Sequence, residues 1–424
     1  MADTLHVGIV GAGIVGLATA LWLQRAGCRV TLIDRQNPGE GTSSGNAGVF
    51  ADYGRVPFAS MAQLRQLPGQ LLDRQSPLSI QASYLPRLLP FGLRFVQACR
   101  TEQFSAGCQA MAQLQRTAPQ DDDVLLDTAQ AHDLVKAHGA LALCSTEQGV
   151  QQARAGHLKL RAELGTTITM VSRHDVAQME PALADFHAGG AYYPDTRFTI
   201  NPLALSRRYA AQFIRDGGRF VRADAGRLTP GPRSCDVNVN GQDMPFDQIV
   251  ICTGVASAAM AAPLGIRIPL ASERGYHLML DAANIALQRP VVWLDKATFL
   301  TPMQDGIRVA GTAEFAPETA PANQARSALM QQTAKAMLGH LPDVLSNWVG
   351  SRPSTPDSLP VIGRLPGQTR VWVAFGHGHL GLTLSSVTGR LISESLCAGI
   401  ELPEIAPYSP SRFTRAYTAR NPLS

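Results

Sequence analysis

Residues 7–35 read VGIVGAGIVGLATALWLQRAGCRVTLIDR. His6–Val10 is a short apolar run and predicts a strand. Ile14–Ala26 carries apolar residues at helical spacing and stops at Gly27, a residue suited to a helix C-terminus. Arg29–Ile33 is rich in β-branched residues and predicts a second strand. Two short strands joined through a helix form a βαβ unit, and hence a parallel sheet. Gly11-Ala12-Gly13-Ile14-Val15-Gly16 is then a GxGxxG pattern at the strand-to-helix turn, answered by Asp34, 18 residues after Gly16. A GxGxxG alone is weak; this context is what a dinucleotide fingerprint requires. Gly11 permits the tight turn, Gly13 lets backbone N–H groups approach a pyrophosphate, and Gly16 lets helix and strand pack closely. Asp34 suits a ribose hydroxyl and disfavours a 2′-phosphate.

The same apolar stretch could be taken for a signal peptide or an anchor. Asp3 and His6 stand where a basic n-region would be, and the glycines have a better explanation. No other stretch has the uninterrupted apolar length of a spanning helix. With 424 residues, 45% hydrophobic and 17% charged, the chain is an ordinary packed protein of two or three domains. Net charge is only +4 and no basic stripe appears, so a nucleic-acid partner is not expected. Positive charge is almost all arginine, with four lysines against 33 arginines. Seven cysteines (28, 99, 108, 144, 235, 252 and 397) include no CxxC pair. Neither a metal site nor a disulfide framework is expected, and a reducing compartment fits.

Beyond Asp34 the regular βαβ rhythm breaks. Residues 55–150 are Gln-, Leu- and Pro-rich with helical stretches, and show no strand alternation. Residues 148–164 and 201–217 read as helices, and Arg219–Val221 and Phe246–Cys252 as strands. Residues 266–312 read as several strands (RIPL, YHLML, VVWL, ATFL, GIRVAG) of a mostly antiparallel sheet. A helix near 323–340, a strand at Val371–Phe375, a Gly-rich loop at 376–381 and a helix near 383–398 complete the chain. We therefore expect an α/β chain whose Rossmann-like nucleotide domain (1–54, 148–262 and 345–424, with 166–200 left open) is interleaved with an α+β second domain (55–147 and 263–344).

A simple NAD enzyme would continue with βαβ units after Asp34. This chain instead runs through Arg35 to TSSGNAG at 42–48, whose small and hydroxyl residues (Thr42, Ser43, Ser44, Asn46, Ala47, Gly48) can wrap a second portion of a longer cofactor. Two further stretches join these: FDQIVICTG at 246–254, and SRPSTPDSLPVIGRLP at 351–366 followed by VWVAFGHGHLGLTLSSVTGRLISE at 371–394. On these motifs, spread from end to end, the chain resembles the FAD-dependent D-amino-acid oxidase superfamily. Within it, the similarity is greatest to bacterial D-amino-acid dehydrogenase small subunits and relatives acting on D-hydroxyproline.

The resemblance implies bound FAD, closed over by Thr253-Gly254 and by the loop Gly376, His379, Leu380, Gly381, Leu382 and Thr383. It implies Arg352 as the residue that clamps a substrate carboxylate through two hydrogen bonds. It puts His379 and Tyr276 in the active site and leaves His377 as structural. Tyr53 and Arg55 would line the pocket, with Tyr192, Tyr193 and Arg197 as weaker candidates. The implied reaction is hydride transfer from Cα to the flavin, giving an imino acid that hydrolyses to a 2-oxo acid, or a cyclic imine from a proline-type substrate. Quinone or another redox carrier is the expected acceptor. Rival readings are a glycine- or sarcosine-type oxidase using O₂, and a flavin electron-transfer subunit without a site of its own. Residues 77–96, apolar with Arg87 and Arg94 but broken by Pro77, Pro86 and Pro90, cannot span a bilayer. They suit either internal packing or the membrane interface, which puts the protein in the cytoplasm or peripherally on the inner membrane.

Overall fold

The strand–helix–strand start forms as the apolar pattern demands, and a computed structural model describes residues 4–73, 75–282 and 284–414. In chain order, the elements that position the site are β1 (His6–Val10), α1 (Ile14–Arg25), β2 (Arg29–Asp34), α2 (Thr101–Ala129), β3 (Arg219–Arg222), β4 (Gln248–Ile251), β5 (Ala271–Leu280), β6 (Gly306–Phe315), β7 (Val344–Ser354), β8 (Val361–Arg364), β9 (Val371–Phe375) and α3 (Ser385–Ala398).

The first sheet has the order β3-β2-β1-β4-β9-β8. Its pairs are parallel except β8, which runs antiparallel to β9. Both faces are covered, so Val7, Ile9, Leu32, Ile33, Val250, Ile251, Val371 and Val373 are all buried. α1 and α3 share one core through Leu17, Leu21, Val387 and Leu391, and α2 adds Met111, Leu114 and Leu125 to it. α1 stops at Arg25 and Gly27 takes a left-handed φ of +84°, as its place after the last helical turn requires.

The second sheet has nine strands. β7, β5 and β6 lie side by side, followed by Thr298–Met303, Val291–Trp293, Ala140–Leu143, Gly189–Tyr193 and Thr169–Ser172, while Leu78–Ile80 adds beside β6. It is mostly antiparallel, as expected, and one face packs on Met330 and Met337 of the helix Gln324–Leu338.

Several expectations shift. RIPL (267–270) is not a strand, and 55–150, where helical stretches and no strand alternation are read, contributes Leu78–Ile80, Val135–Lys136 and Ala140–Leu143. These are short segments whose pairing partners lie far away in sequence, so no local alternation marks them. A three-stranded antiparallel sheet at 225–246 is also new. The open stretch 166–200 supplies two strands to the nine-stranded sheet, as does β7, which the expected division counted with the nucleotide domain. α2, counted with the second domain, packs into the core under α1 and α3.

Candidate functional site

At the fingerprint, Gly11 has φ +109°, and a Cβ there would lie 2.4 Å from the Cys252 carbonyl oxygen. A Cβ on Gly16 would lie 2.0 Å from the Gly11 carbonyl oxygen. α1 starts after Gly13 with no side-chain cap and no acid in its first turn. Apart from the Ile14 N–H, which donates to Ser43 Oγ, its positive end is open to an anion. Both Asp34 oxygens hold the turn: Oδ2 accepts from the Ala12 N–H at 2.7 Å and Oδ1 from the Gln36 N–H at 2.9 Å. Each keeps a second lone pair for a hydroxyl. Arg35 is exposed, 3.9 Å from Glu318.

The 42–48 loop comes to this turn through Ser43, whose Oγ accepts from the Ile14 N–H at 3.0 Å. Thr42 donates to the Ser351 carbonyl of β7 at 2.9 Å, and Ser44 to the Gly41 carbonyl at 2.9 Å. The Asn46 amide spans Ser43 and Gly48. From the second sheet, the His277 Nδ1–H meets the Gly45 carbonyl at 3.0 Å. Arg308 donates to the carbonyls of Ser44 (3.0 Å) and Asn46 (2.6 Å). Burial lowers His277 to about 4 and Arg308 to about 10, so the imidazole is neutral and the guanidinium still charged at pH 7. Trp348 stacks on His277 with ring centroids 5.0 Å apart. None of these three clamps was anticipated, because they come from strands whose register a sequence does not display. Thr253 Oγ1 lies 3.0 Å from Ser257 Oγ, and Gly254 has φ +60°.

The register of β5 against β7 places Glu273 opposite Arg352, Gly275 opposite Gly350 and His277 opposite Trp348. Glu273 is buried. Its Oε1 accepts from Arg352 Nη1 at 3.2 Å and lies 2.7 Å from His379 Nε2, and its Oε2 accepts from Ser354 Oγ at 2.7 Å. Burial alone would raise this carboxyl. His379, Arg352 and Ser354 together overcome burial and hold it well below the usual carboxylate range. Arg352 Nη1 also donates to the Thr312 carbonyl at 3.3 Å. His379 stays half-exposed, with the Phe58 ring 5.1 Å away.

The loop from Gly376 to Thr383 leads into α3, which starts without a side-chain cap or an acid in its first turn. Within the loop Leu382 and Thr383 are buried, while Leu380 and Gly381 are half-buried. Thr383 Oγ1 accepts from the Ala51 N–H at 2.9 Å, which leaves its own hydrogen to donate. His377 lies 2.9 Å from Thr388 Oγ1, and burial lowers it to about 3; it is a neutral core residue.

Tyr276 does not join Arg352. Its hydroxyl lies on the opposite face of β5, donating to Glu314 Oε2 at 2.5 Å, with Arg274 Nη1 3.3 Å from that oxygen. Burial and Glu314 push this phenol up to about 12. The Tyr53 ring stacks on Tyr193 at 4.4 Å, and Arg161 donates to the Tyr193 hydroxyl at 2.8 Å. Arg55 is held by the carbonyls of Asp52 and Leu164, Arg197 pairs with Asp122 and Asp123, and Tyr192 donates to His138.

A helix N-terminus without an acid behind a GxGxxG turn, a clamped loop beside it and a fixed arginine suit a flavoenzyme. The family model described as FAD dependent oxidoreductase (DAO) matches residues 6–395. The chain belongs to the DAO family of FAD-dependent oxidoreductases. A D-amino-acid oxidase of Bradyrhizobium diazoefficiens is 31% identical, over 97% of this chain and 100% of that protein. A D-amino acid dehydrogenase of Vibrio vulnificus is 29% identical, over 91% of this chain and 94% of that one. Glycine oxidase from Geobacillus kaustophilus superposes with a TM-score of 0.74 at 20% identity, covering 97% of this chain and 99% of that chain. This DAO-family chain is thus an FAD-dependent amino acid oxidoreductase.

Proposed function

We propose that the protein is a dehydrogenase of D-amino or D-imino acids. The observation that carries this is Arg352, a guanidinium fixed on one side by Glu273 Oε1 and the Thr312 carbonyl. An arginine so held offers its remaining N–H groups to a carboxylate in a set orientation. FAD supplies the hydride acceptor when bound. The fingerprint (Gly11, Ala12, Gly13, Ile14, Val15, Gly16) and Asp34 would hold its pyrophosphate and adenosine ribose, while Thr42, Ser43, Ser44, Asn46, Ala47, Gly48, Thr253 and Gly254 would hold its middle. Residues 376–383 and the start of α3 would flank its ring, where the helix end and the Thr383 hydroxyl favour developing negative charge. Arg352 orients Cα, and His379 lies beside the substrate. No residue here is assigned as a general base, since a substrate bound as the neutral amine needs none.

The preference for D-acids draws on the two relatives, one a D-amino-acid oxidase and the other a D-amino acid dehydrogenase. The test is anaerobic mixing of the yellow protein with D- and L-amino acids, glycine, sarcosine, D-proline and 4-hydroxy-D-proline. Bleaching by D-acids, followed by faster reoxidation with a soluble quinone than with O₂, is expected. Bleaching only by L-acids, glycine or sarcosine overturns the substrate class, and rapid peroxide formation overturns the acceptor. Arg352→Lys should lower kcat/KM by about 100-fold, because an ammonium cannot form the two-pronged contact.

A second proposal concerns the acceptor's location. No helix among the described residues is long and apolar enough to cross a membrane. The helix Leu85–Ala98 nevertheless exposes Leu85, Leu89, Leu93 and Val96 along one stripe, and Met61, Leu71 and Leu72 are exposed on the preceding helix Met61–Leu72. Between residues 56 and 100 the charged residues are Arg65, Asp73, Arg74, Arg87, Arg94 and Arg100. An apolar stripe with basic flanks suits an anionic lipid surface. Co-sedimentation with anionic vesicles, abolished by Leu89→Asp with Leu93→Asp, is expected; equal binding of the variant overturns it.

A further inference from the structure

Arg352 presents a geometric problem that the proposed carboxylate clamp leaves open: what stops a long, flexible side chain from wandering. The answer rests on reading Arg352 as the carboxylate binder. Both N–H groups of Nη1 are committed, one to Glu273 Oε1 at 3.2 Å and one to the Thr312 carbonyl at 3.3 Å. That fixes one side of the plane and leaves the Nε–Nη2 edge, which meets no acceptor among the described residues, for a side-on pair of hydrogen bonds.

Each half of this hold is built at a cost. Glu273 is a buried carboxylate, tied down by Ser354 and His379 as well as Arg352. A buried charge is retained only where its partners compensate it. Thr312 is a β-branched residue at φ +58°, inside β6, opposite the bulge between Arg274 and Tyr276. Strain of this kind persists where the surroundings enforce it, and it concentrates at functional sites. The buried Thr312 hydroxyl has no hydrogen-bond partner among the described residues. The turned carbonyl is therefore the group that this conformation serves.

We infer that Glu273 and the Thr312 carbonyl are a positioning device for Arg352 and His379, setting the angle at which the substrate is presented rather than its affinity. Glu273 also offsets the positive charge of Arg352. Removing that anion strengthens the attraction of Arg352 for any carboxylate while releasing its orientation, so rate and affinity separate.

Glu273→Gln is the test, read by anaerobic flavin reduction and by the spectral change on binding propionate, a carboxylate without an amino group. The limiting reduction rate should fall at least about tenfold while propionate binds as tightly as in wild type, or tighter. Loss of propionate affinity in E273Q with the rate preserved overturns the inference. If E273Q does not fold, Ser354→Ala, which keeps the charge but frees Oε2, should slow reduction by roughly three- to tenfold with propionate affinity unchanged; a wild-type rate there overturns it. Failure of wild type to be reduced by any amino acid defeats the carboxylate-clamp reading itself and this inference with it. A wild type that is reduced, beside an E273Q indistinguishable from it, defeats this inference alone.

Discussion

Gly275→Ala offers the sharpest test of whether Arg352 works by its exact angle. Gly275 sits directly under the guanidinium: a Cβ there would lie 2.3 Å from Nη2, 2.4 Å from Cζ and 2.9 Å from Nε. Ordinary carbon contacts sit near 3.5 Å, so the guanidinium must move by about 1 Å. The moving group is the free end of a side chain, not backbone, and Gly275 is not among the residues with positive φ. The strand itself therefore accepts alanine, and the lower entropy of the unfolded chain contributes about 0.4–1 kcal/mol of stability. The displaced Nη1 leaves Glu273 Oε1 and the Thr312 carbonyl, and a bound carboxylate shifts by the same distance. A misplacement of this size costs about 100-fold in rate, or about 2.7 kcal/mol of barrier. Rapid anaerobic mixing should show this loss in the reductive rate, while flavin content stays at the wild-type level. A G275A variant that reduces its flavin within about threefold of the wild-type rate would refute the reasoning. So would a variant that loses its flavin, since the backbone and not the arginine alone would then have moved.

Gly16→Ala acts differently: its Cβ would lie 2.0 Å from a backbone oxygen, that of Gly11, so the turn itself must open. This variant should purify largely colourless, and full flavin absorbance counts against the pyrophosphate assignment. Cys397 is the one exposed cysteine of the seven. A hydrogen bond from Cys28, whose sulfur is 3.7 Å away, lowers it to about 7. Iodoacetamide at pH 7.5 should therefore label Cys397 first by peptide mapping, and a fast-reacting thiol elsewhere contradicts the Cys28–Cys397 contact. His377 has its pKa lowered by burial from 6.5 to about 3. The unfolded chain therefore takes up a proton that the folded one refuses, and stability is lost as pH falls below 6.5. Relative to His377→Gln, wild type should lose about 2 kcal/mol between pH 8 and pH 5 in urea unfolding; a pH-independent difference between the two argues that the imidazole is not buried neutral.

What could be read from the sequence divides along a physical line. The fingerprint, Asp34, the TSSGNAG loop and the Gly-rich approach to α3 are contiguous, and their glycines and hydroxyls have local reasons to be where they are. Arg352 is a candidate through its resemblance to a family. Its partners are not legible, because Glu273, Gly275 and Thr312 reach it only through the pairing of β5 with β6 and β7. Tyr276 shows how little it takes to go astray. Successive strand residues face opposite sides of a sheet, so a residue three places from Glu273 in the same strand turns its back on the site. The ERGYH stretch holds both faces at once: Glu273, Gly275 and His277 serve Arg352 and the 42–48 loop, while Arg274 and Tyr276 build a buried polar network with Glu314. Which parity is the functional one is decided by the register against β7, a contact 79 residues distant in the chain for Glu273 and Arg352. An aromatic on an active-site strand is thus a weaker pointer than the small residue next to it, whose missing Cβ is explained only by what lies over it.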